Sequence, residues 1–255
     1  MTNKTIQVVG LDADDTLWHS EVYFERTQRR FDELVGRYVS ADVDVHAALT
    51  AVERRNLGRY GYGIKGFTLS MIECAIEVTD GAIGVEELGQ VLAAGRAMLD
   101  HPVDLIDGVD ETITALADAG YRMVIVTKGD LHHQEMKVMA SGLADRVERI
   151  EIVAEKDVAT YRRVVASMDV EPHQFAMVGN SVKSDVLPVL ALGGHAVHVP
   201  YHITWEAEHA HHRPNPLVNA MMEAVKGVMP ALAAPATPAA PAPAAATEAA
   251  AAAPA

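Results

Sequence analysis

The stretch that decides the fold is IQVVGLDADDT, residues 6–16. Its first half is apolar and rich in β-branched residues, which predicts a β-strand that is buried on both faces. The strand ends in three acids, Asp12, Asp14 and Asp15. Because unpaired buried charge is costly, such acids are usually matched by a cation or exposed in a cleft. Along an extended chain, alternation predicts that Asp12 and Asp14 lie on one side and Asp15 on the other.

A pair of carboxylates at this spacing suits two kinds of chemistry. Asp12 and Asp14 can hold a Mg²⁺ ion, which prefers hard oxygen ligands. They can also act in catalysis, with one carboxylate as nucleophile and the other as general acid and base. The alternative is a strand that ends in a solvated acidic turn, because Asp is common in turns.

Composition limits the classes of partner. The chain has 255 residues, 49% of them hydrophobic and 22% charged, which is enough for one domain with a large insertion or for two domains. Its formal net charge is −14. An acidic surface repels phosphate backbones, so we expect no nucleic-acid partner. A small phosphorylated metabolite is still compatible, because local cations and a metal can invert the field inside a cleft.

The expected location is the cytoplasm. Cys74 is the single cysteine, so no disulfide can form within the chain, and this fits a reducing compartment. We expect Cys74 to be a buried apolar residue and not a catalytic one. No signal-peptide pattern precedes the first strand, and no apolar run reaches membrane-spanning length, so no membrane partner is predicted.

Residues 20–101 have a helical pattern throughout. After a first helix, the predicted helices are Val43–Leu57, Phe67–Thr79 and Val85–Leu99. Because this insertion directly follows the acidic strand end, it is predicted to cover the site as a cap. Its loop Arg59–Gly66 carries cations and aromatic side chains on a glycine-rich backbone. The loop is predicted either to help select the substrate or to be an ordinary helix connection.

From Val109 onward the pattern alternates between helix and strand. The predicted strands are Arg122–Thr127, Arg149–Val153, Phe175–Val178 and Ala196–Val199. The predicted helices are Asp110–Ala119, Leu131–Ser141, Asp157–Met168 and Val182–Leu192. This alternation predicts an α/β fold in which helices cover both faces of a parallel sheet.

The predicted domains follow from these changes of pattern. An α/β core comprises residues 1–19 and 102–230, and the cap comprises residues 20–101. A last helix is predicted at Met221–Val228. The Ala- and Pro-rich tail, residues 231–255, has too little to bury and is predicted to be disordered.

Two later strand ends carry groups that the acidic stretch needs. Thr127 ends the second strand, and its hydroxyl, with the backbone amides of Lys128 and Gly129, is predicted to hold a phosphate oxygen at a helix N-terminus. The alternative is an ordinary helix start capped by Asp130. Lys156 follows the third strand, where a cation can neutralise a nucleophile and a transferred phosphoryl group. By itself, however, a loop lysine is more often a solvated charge.

The fourth strand ends in GNSVKSD, residues 179–185, and returns an acid to the predicted site. Asn180 and Asp185 offer oxygens to a hard cation. Ligands of parallel sheets bind at the carboxyl ends of the strands, so these groups are predicted to meet the first acidic stretch. By contrast, the six histidines between His195 and His212 are unpatterned and give little support for a zinc site.

The whole set of motifs resembles the haloacid dehalogenase (HAD) superfamily of hydrolases, over roughly residues 5–228. The motifs stand here as Asp12, Asp14 and Thr16; Thr127; Lys156; and Gly179, Asn180, Ser181 and Asp185. The resemblance implies a Rossmann-like α/β core with an inserted helical cap of the C1 type. Asn180 departs from the family pattern, which commonly has an acid there, and this makes Asp185 the more secure metal ligand.

The resemblance also implies an activity. Dehalogenases of the family lack an acid at the position of Asp14 and need no metal, whereas its phosphatases and phosphomutases have one. We therefore expect a Mg²⁺-dependent phosphatase that acts on a small phosphorylated metabolite. The implied nucleophile is Asp12 and the implied general acid and base is Asp14. The implied phosphoryl-binding residues are Thr127, Lys128, Gly129 and Lys156, and the implied metal ligands are Asp12, Asp14 through its carbonyl, Asp185 and Asn180.

Two other functions remain open at this point. One is a phosphomutase or phosphotransferase, in which the phosphoryl group passes to an organic acceptor. The other is a scaffold that keeps the fold and binds a partner through the cap. A homo-oligomer is also possible, since exposed apolar faces of the cap can pair.

Overall fold

A computed structural model describes residues 6–203 and 205 and has one five-stranded sheet. All neighbouring strands are parallel, in the order β3-β2-β1-β4-β5. The strands are β1 (Val8–Leu11), β2 (Arg122–Lys128), β3 (Arg149–Val153), β4 (Phe175–Gly179) and β5 (His195–His198). The helices are α1 (Glu21–Val35), α2 (Val45–Tyr60), α3 (Ile64–Val78), α4 (Val85–Leu99), α5 (Val109–Asp118), α6 (Leu131–Ala140), α7 (Val158–Ser167) and α8 (Leu187–Leu192).

β1 lies at the centre of the sheet, which explains its continuous apolar sequence. Val8 pairs with Arg122 on one side and with Phe175 on the other. A Cβ on Gly10 would lie 2.5 Å from the Phe175 ring, so glycine makes room for the aromatic side chain of β4. Both backbone edges of β1 are therefore used in pairing, and its end is placed beside the ends of β2 and β4.

Helices cover both faces of the sheet, and the alternation along β1 decides which face each residue contacts. Val9 and Leu11 pack in one cluster with α5 and α6, through residues such as Ile113 and Val138. Val8 packs in the opposite cluster, with α7 and α8. This arrangement confirms the predicted α/β class, because a parallel sheet is stable only when both of its faces are buried.

The inserted helices α1–α4 have a hydrophobic core of their own. It contains Phe31, Leu49, Phe67 and Met71, and it includes the buried Cys74. The predicted all-helical insertion between β1 and the rest of the sheet is thus confirmed. Its division from the core at residues 20 and 101, and its assignment to the C1 type, stay predictions.

The structure corrects the predicted path of the chain after β1. The strand ends at Leu11, and Asp15 has a left-handed backbone with φ of 60°. The alternation assumed for an extended chain therefore does not continue through the three acids. A hydrogen bond from the Asp15 N–H to the Trp18 carbonyl, 2.8 Å long, helps to close this turn.

The predicted helix Val182–Leu192 is also two elements. Residues Val182–Val186 form a π-helical turn, and α8 follows it. Pro188 lies in the first turn of α8, where its missing N–H is tolerated. The wide turn places Asp185 at the strand end, as described below. Other predicted boundaries differ by a few residues.

The predicted helix Met221–Val228, the tail and the histidines from His209 onward lie outside the described residues. Within residues 6–203 and 205, no helix is both long and apolar enough to cross a lipid bilayer.

Candidate active site

The carboxyl ends of β1 to β4 border one cavity of about 170 Å³. Asp12 follows β1, Thr127 lies at the end of β2, Lys156 follows β3, and Asp185 follows β4. All four side chains line the cavity, and all four residues are at least nine-tenths buried. The structure therefore brings together four residues that lie far apart in the sequence.

A buried ammonium joins two buried carboxylates at the centre of this site. Lys156 Nζ donates hydrogen bonds to Asp12 Oδ1 and, at 2.7 Å, to Asp185 Oδ1. The pKa of Asp12 is raised to about 7, mainly by burial and then by the negative charge of Asp185; the positive charge of Lys156 acts in the opposite direction. Burial lowers the pKa of an ammonium, but the charges of Asp12 and Asp185 hold the pKa of Lys156 well above its usual value. Lys156 is thus a fixed cation beside the predicted nucleophile.

Close backbone packing fixes the position of Asp185. Its Oδ2 accepts a hydrogen bond from the Ser181 N–H at 2.9 Å. A Cβ on Gly179 would lie 2.3 Å from the same oxygen, so only glycine fits there without displacing the carboxylate. The Tyr161 hydroxyl approaches Asp185 Oδ1 at 3.4 Å from α7. Asp185 is therefore held by the fourth strand end and by the helix that packs beneath it.

Thr16 links the first and fourth motifs. Its hydroxyl donates to Asp12 Oδ2 at 3.0 Å and accepts from the Asn180 N–H at 3.0 Å. The Asn180 carbonyl faces His198 Nε2 at 2.9 Å. These contacts fix the backbone of Asn180, and the residue lines the same cavity as Asp12 and Asp185.

Asp14 has a separate set of partners. Its carboxylate accepts hydrogen bonds from Trp18 Nε1 at 2.6 Å, from Gln134 Nε2 at 2.8 Å and from Lys137 Nζ. Burial alone would raise the pKa of Asp14, but the charge of Lys137 and these hydrogen bonds outweigh it and lower the pKa. Asp14 is therefore ionised at neutral pH in this conformation. Sequence reasoning missed Gln134 and Lys137, whose spacing on α6 carries no sign that they face this site.

Asp15 has a structural role that the sequence did not suggest. Its carboxylate accepts hydrogen bonds from the Ser20 and Glu21 N–H groups at 2.9 and 3.0 Å, at the start of α1. Burial and the neighbouring Asp14 raise the pKa of Asp15 to about 7. The third acid thus fixes the junction between β1 and the helical insertion.

At the second motif, the structure shows the helix start capped by Asp130 that the sequence offered as the alternative. Asp130 is the N-cap of α6, since its side chain accepts from the His133 N–H at 2.9 Å. Lys128 also lines the cavity; its Nζ lies 3.3 Å from Ser184 Oγ and 4.2 Å from the centre of the Tyr62 ring. Gly129 has φ of 150°, and a Cβ there would lie 2.9 Å from the Gln134 side chain. Phosphate binding by Thr127, Lys128 and Gly129 stays a prediction.

The helical insertion closes over the same cavity through the predicted loop. Lys65 Nζ donates to Asp130 Oδ1 at 2.9 Å, and the Tyr62 hydroxyl donates to Glu155 Oε2 at 2.7 Å. Gly61 and Gly63 have positive φ values of 68° and 101°, which allow the chain to turn between α2 and α3. The loop therefore forms part of the cavity wall, where it is placed to contact a bound molecule.

The donor set at the strand ends suits a hard divalent cation. Asp12 and Asp185 supply buried carboxylate oxygens, and the Asn180 residue lines the same cavity. Hard oxygens of this kind are the preferred ligands of Mg²⁺. Within the part of the chain that the structure describes, however, no three His, Cys, Asp or Glu side chains are grouped as a metal site. Lys156 lies between Asp12 and Asp185, and the Asp14 carboxylate is turned toward Lys137.

Comparison with known proteins gives the family. The family of haloacid dehalogenase-like hydrolases matches residues 6–193, which is well over half of the chain. The chain belongs to the haloacid dehalogenase-like hydrolases. No curated protein matches it.

Solved structures agree on this HAD-like fold. A haloacid dehalogenase-like family hydrolase from Xanthomonas campestris is 44% identical, with a TM-score of 0.75; the alignment covers 91% of this chain and 95% of that one. A predicted phosphoglycolate phosphatase from Haemophilus somnus is 15% identical over 87% of this chain and 99% of that one, with a TM-score of 0.55. A 2-haloacid dehalogenase from Pseudomonas syringae is 20% identical over 82% and 92%, with a TM-score of 0.53. The last two show the fold alone, and their different names leave the substrate class of this HAD-like hydrolase open.

Proposed function

We propose that this HAD-like hydrolase is a Mg²⁺-dependent phosphatase of a small phosphorylated metabolite. The observation that carries the proposal is the pair of acids at the end of β1, with Asp12 beside a buried ammonium and Asp14 lining the same cavity. A halide leaving group needs no proton, whereas an alkoxide does, so a second acid has a use in phosphate-ester hydrolysis that it lacks in dehalogenation. The cavity of about 170 Å³ favours a small ester, because pockets for drug-sized ligands measure roughly 300–1,000 Å³.

The proposed reaction has two steps. Asp12 attacks phosphorus, the bond from phosphorus to the ester oxygen breaks, and Asp14 gives a proton to the departing alcohol. A water then attacks the phosphorus of the aspartyl phosphate and gives its proton to Asp14. The bond from phosphorus to Asp12 breaks, so inorganic phosphate is released and the Asp12 carboxylate is restored. Lys156 and the groups around Thr127 would stabilise the charge on the phosphoryl oxygens.

Asp14 requires a change of partner for the first step. The charge of Lys137 lowers its pKa, which suits the base that accepts a proton from water. An acid must carry a proton instead, so the proposal requires that substrate binding weaken the contact between Asp14 and Lys137. A Mg²⁺ ion held by Asp12, Asp185, the Asp14 carbonyl and Asn180 would supply the positive charge that screens the approach of carboxylate to phosphate.

Phosphate release from p-nitrophenyl phosphate, with and without Mg²⁺, tests this function. We expect hydrolysis that requires the metal and that Asp12→Asn abolishes. Asp14→Asn should lose more activity on an alkyl phosphate than on the nitrophenyl ester, because nitrophenolate leaves without a proton. Chloride release from 2-chloropropionate by the wild type, with no phosphate release from any ester, would instead assign a dehalogenase.

Product analysis separates the phosphatase from the phosphotransferase. We expect inorganic phosphate in equal amount to the alcohol released, even when a second alcohol is added as acceptor. Transfer of most phosphoryl groups to the acceptor would favour the phosphotransferase. A scaffold would give no turnover on any phosphorylated metabolite.

A further inference from the structure

The two walls of the cavity differ in charge. The wall formed by the strand ends and α6 carries both signs of charge: the ammonium groups of three lysines lie among carboxylates with which they pair. The lysines are Lys128, Lys137 and Lys156, and the carboxylates that line this wall are those of Asp12, Asp14, Asp130 and Asp185. The wall formed by α1 and α2 carries two carboxyl groups, those of Glu21 and Glu53, and no Lys or Arg from these two helices lines the cavity. Among the described residues that line the cavity, Lys and Arg side chains lie only at the strand-end wall, so a molecule that fills the cavity meets paired cations there and carboxyl groups without a cation at the wall of α1 and α2.

Within the part of the chain that the structure describes, no salt bridge includes Glu21 or Glu53. Burial raises the pKa of Glu53 to about 7, and no other group of the described chain contributes to that shift. Burial and four neighbouring acids, first Asp15 and then Glu53, raise the pKa of Glu21 to about 8. Partly buried carboxyl groups of this kind are stabilised when a cation or a hydrogen-bond donor is supplied.

Asn56 provides a second and independent observation on the same wall. The residue is 2% exposed, and its Nδ2 donates to Ser70 Oγ at 3.2 Å and to Glu73 Oε2 at 2.6 Å. These two acceptors fix the orientation of the amide. Its Oδ1 is buried, and no described residue donates to it. The Asn56 residue lines the cavity, and since an unsatisfied buried acceptor is unfavourable, a donor that reached this oxygen from the cavity would stabilise it.

We propose that the organic part of the substrate carries an ammonium group, so that the substrate is a phosphate monoester of a small amino alcohol. This inference rests on the phosphatase function proposed above. The phosphate lies against the lysines of the strand-end wall, and the ammonium group donates to Glu53, Glu21 and Asn56 Oδ1. A carboxylate in the same place would meet two acids and an orphaned acceptor, so phosphorylated hydroxy acids are disfavoured.

Three two-carbon esters test the inference, because they differ only at the end away from the phosphate. They are phosphoethanolamine, 2-hydroxyethyl phosphate and phosphoglycolate. We expect kcat/KM to fall in that order, with a ratio of roughly tenfold or more between the first and the last, which is the size expected for one charge-assisted hydrogen bond. An equal or higher kcat/KM for phosphoglycolate would overturn the inference.

Glu53→Gln is the decisive variant. It keeps the shape of the side chain and removes its charge, so the ratio of phosphoethanolamine to phosphoglycolate should fall by roughly tenfold, mainly through KM for phosphoethanolamine. Glu86→Gln is the matched control, since Glu86 is exposed on α4 and does not line the cavity. An unchanged ratio in Glu53→Gln, or the same fall in Glu86→Gln, would show that Glu53 does not recognise the substrate.

A binding measurement keeps this inference separate from the phosphatase proposal. Calorimetric titration of the three esters into Asp12→Asn, with and without Mg²⁺, does not depend on turnover. Tighter binding of phosphoethanolamine supports the inference even if the wild type hydrolyses none of the esters, which would refute only the proposed reaction. Tighter binding of phosphoglycolate refutes the inference even if the wild type is a phosphatase.

Discussion

Lys156→Met should strongly destabilise the protein, because it removes the ammonium group between two buried carboxylates. The side chains of Lys156, Asp12 and Asp185 are 3%, 8% and 1% exposed. Methionine fills a similar volume but leaves Asp12 and Asp185 facing each other without a cation. Removing one partner of a buried ion pair costs about 3–5 kcal/mol. This is a large part of the roughly 5–15 kcal/mol by which folded proteins are usually stable, yet it leaves a folded variant to measure.

Urea denaturation in the absence of divalent ions measures this loss. Lys65→Met is the matched control, because Lys65 also pairs with an aspartate, Asp130, but is 51% exposed. Exposed ion pairs contribute about 0–1 kcal/mol, so the control should lose no more than that. Equal losses below about 1 kcal/mol in both variants would refute the reasoning that burial makes the Lys156 contacts strong.

The pH dependence gives the sign of the same effect. Burial already raises the pKa of Asp12 to about 7 in the wild type, and loss of Lys156 removes a charge that lowers it. In Lys156→Met, protonation of Asp12 relieves the repulsion from Asp185. The free energy lost by the variant should therefore shrink as the pH falls from 8 to about 7 and should level off below 7, where Asp12 is protonated in the wild type as well. A loss that stayed constant from pH 8 to pH 6 would contradict this explanation.

Three further predictions concern single positions. Burial raises the pKa of the Cys74 thiol to about 12, so Cys74 should not react with a disulfide reagent at pH 8 until urea unfolds the chain; rapid labelling of the native protein would contradict its place in the helical core. Burial and the charge of Lys137 lower the pKa of His133 from 6.5 to about 4. Below pH 6.5 the unfolded chain therefore binds a proton that the folded chain does not, and the free energy of unfolding decreases as the pH is lowered. Relative to His133→Gln, the wild type should lose about 1 kcal/mol between pH 7.5 and pH 5 after allowance for the partly exposed ring, measured from urea midpoints at the two pH values; no difference would mean that the ring is solvated. Gly179→Ala should lower phosphatase activity and stability, because its Cβ would overlap Asp185. Gly58→Ala is the control: it lies in open space on α2 and should add about 0.5–1 kcal/mol to the free energy of unfolding. A fully active Gly179→Ala would show that the strand end can move.

The sequence was sufficient to predict the parallel sheet and the place of the site within it. Asp12, Thr127, Lys156 and Asp185 each follow or end an apolar strand, and parallel strands present their carboxyl ends at one edge. Their convergence depends on topology, which the alternation of helix and strand encodes. Their catalytic, phosphate-binding and metal-binding roles stay predictions.

The surroundings of Asp14 were not predictable in the same way. Gln134 and Lys137 contact it from α6, and which face of a helix meets a neighbouring loop depends on tertiary packing. The turn at Asp15 was missed for two reasons. Its carboxylate accepts hydrogen bonds at the start of a helix that begins several residues later, and no local sequence pattern indicated the positive φ of Asp15. The orphaned oxygen of Asn56 depends on the orientation of one amide inside the helical insertion, which periodicity does not determine.

The central position of β1 has a consequence for how the chain folds during synthesis. β1 leaves the ribosome before either of its neighbours, because β2 and β4 both follow the helical insertion. At about 5–20 residues per second, the backbone of Val8–Leu11 waits roughly 10–30 s for β4 to be made. The contacts among α1–α4 are shorter in range and can form during that interval. We therefore expect the nascent chain to fold its insertion first and to offer β1, for those seconds, as an extended apolar segment of the kind that chaperones bind.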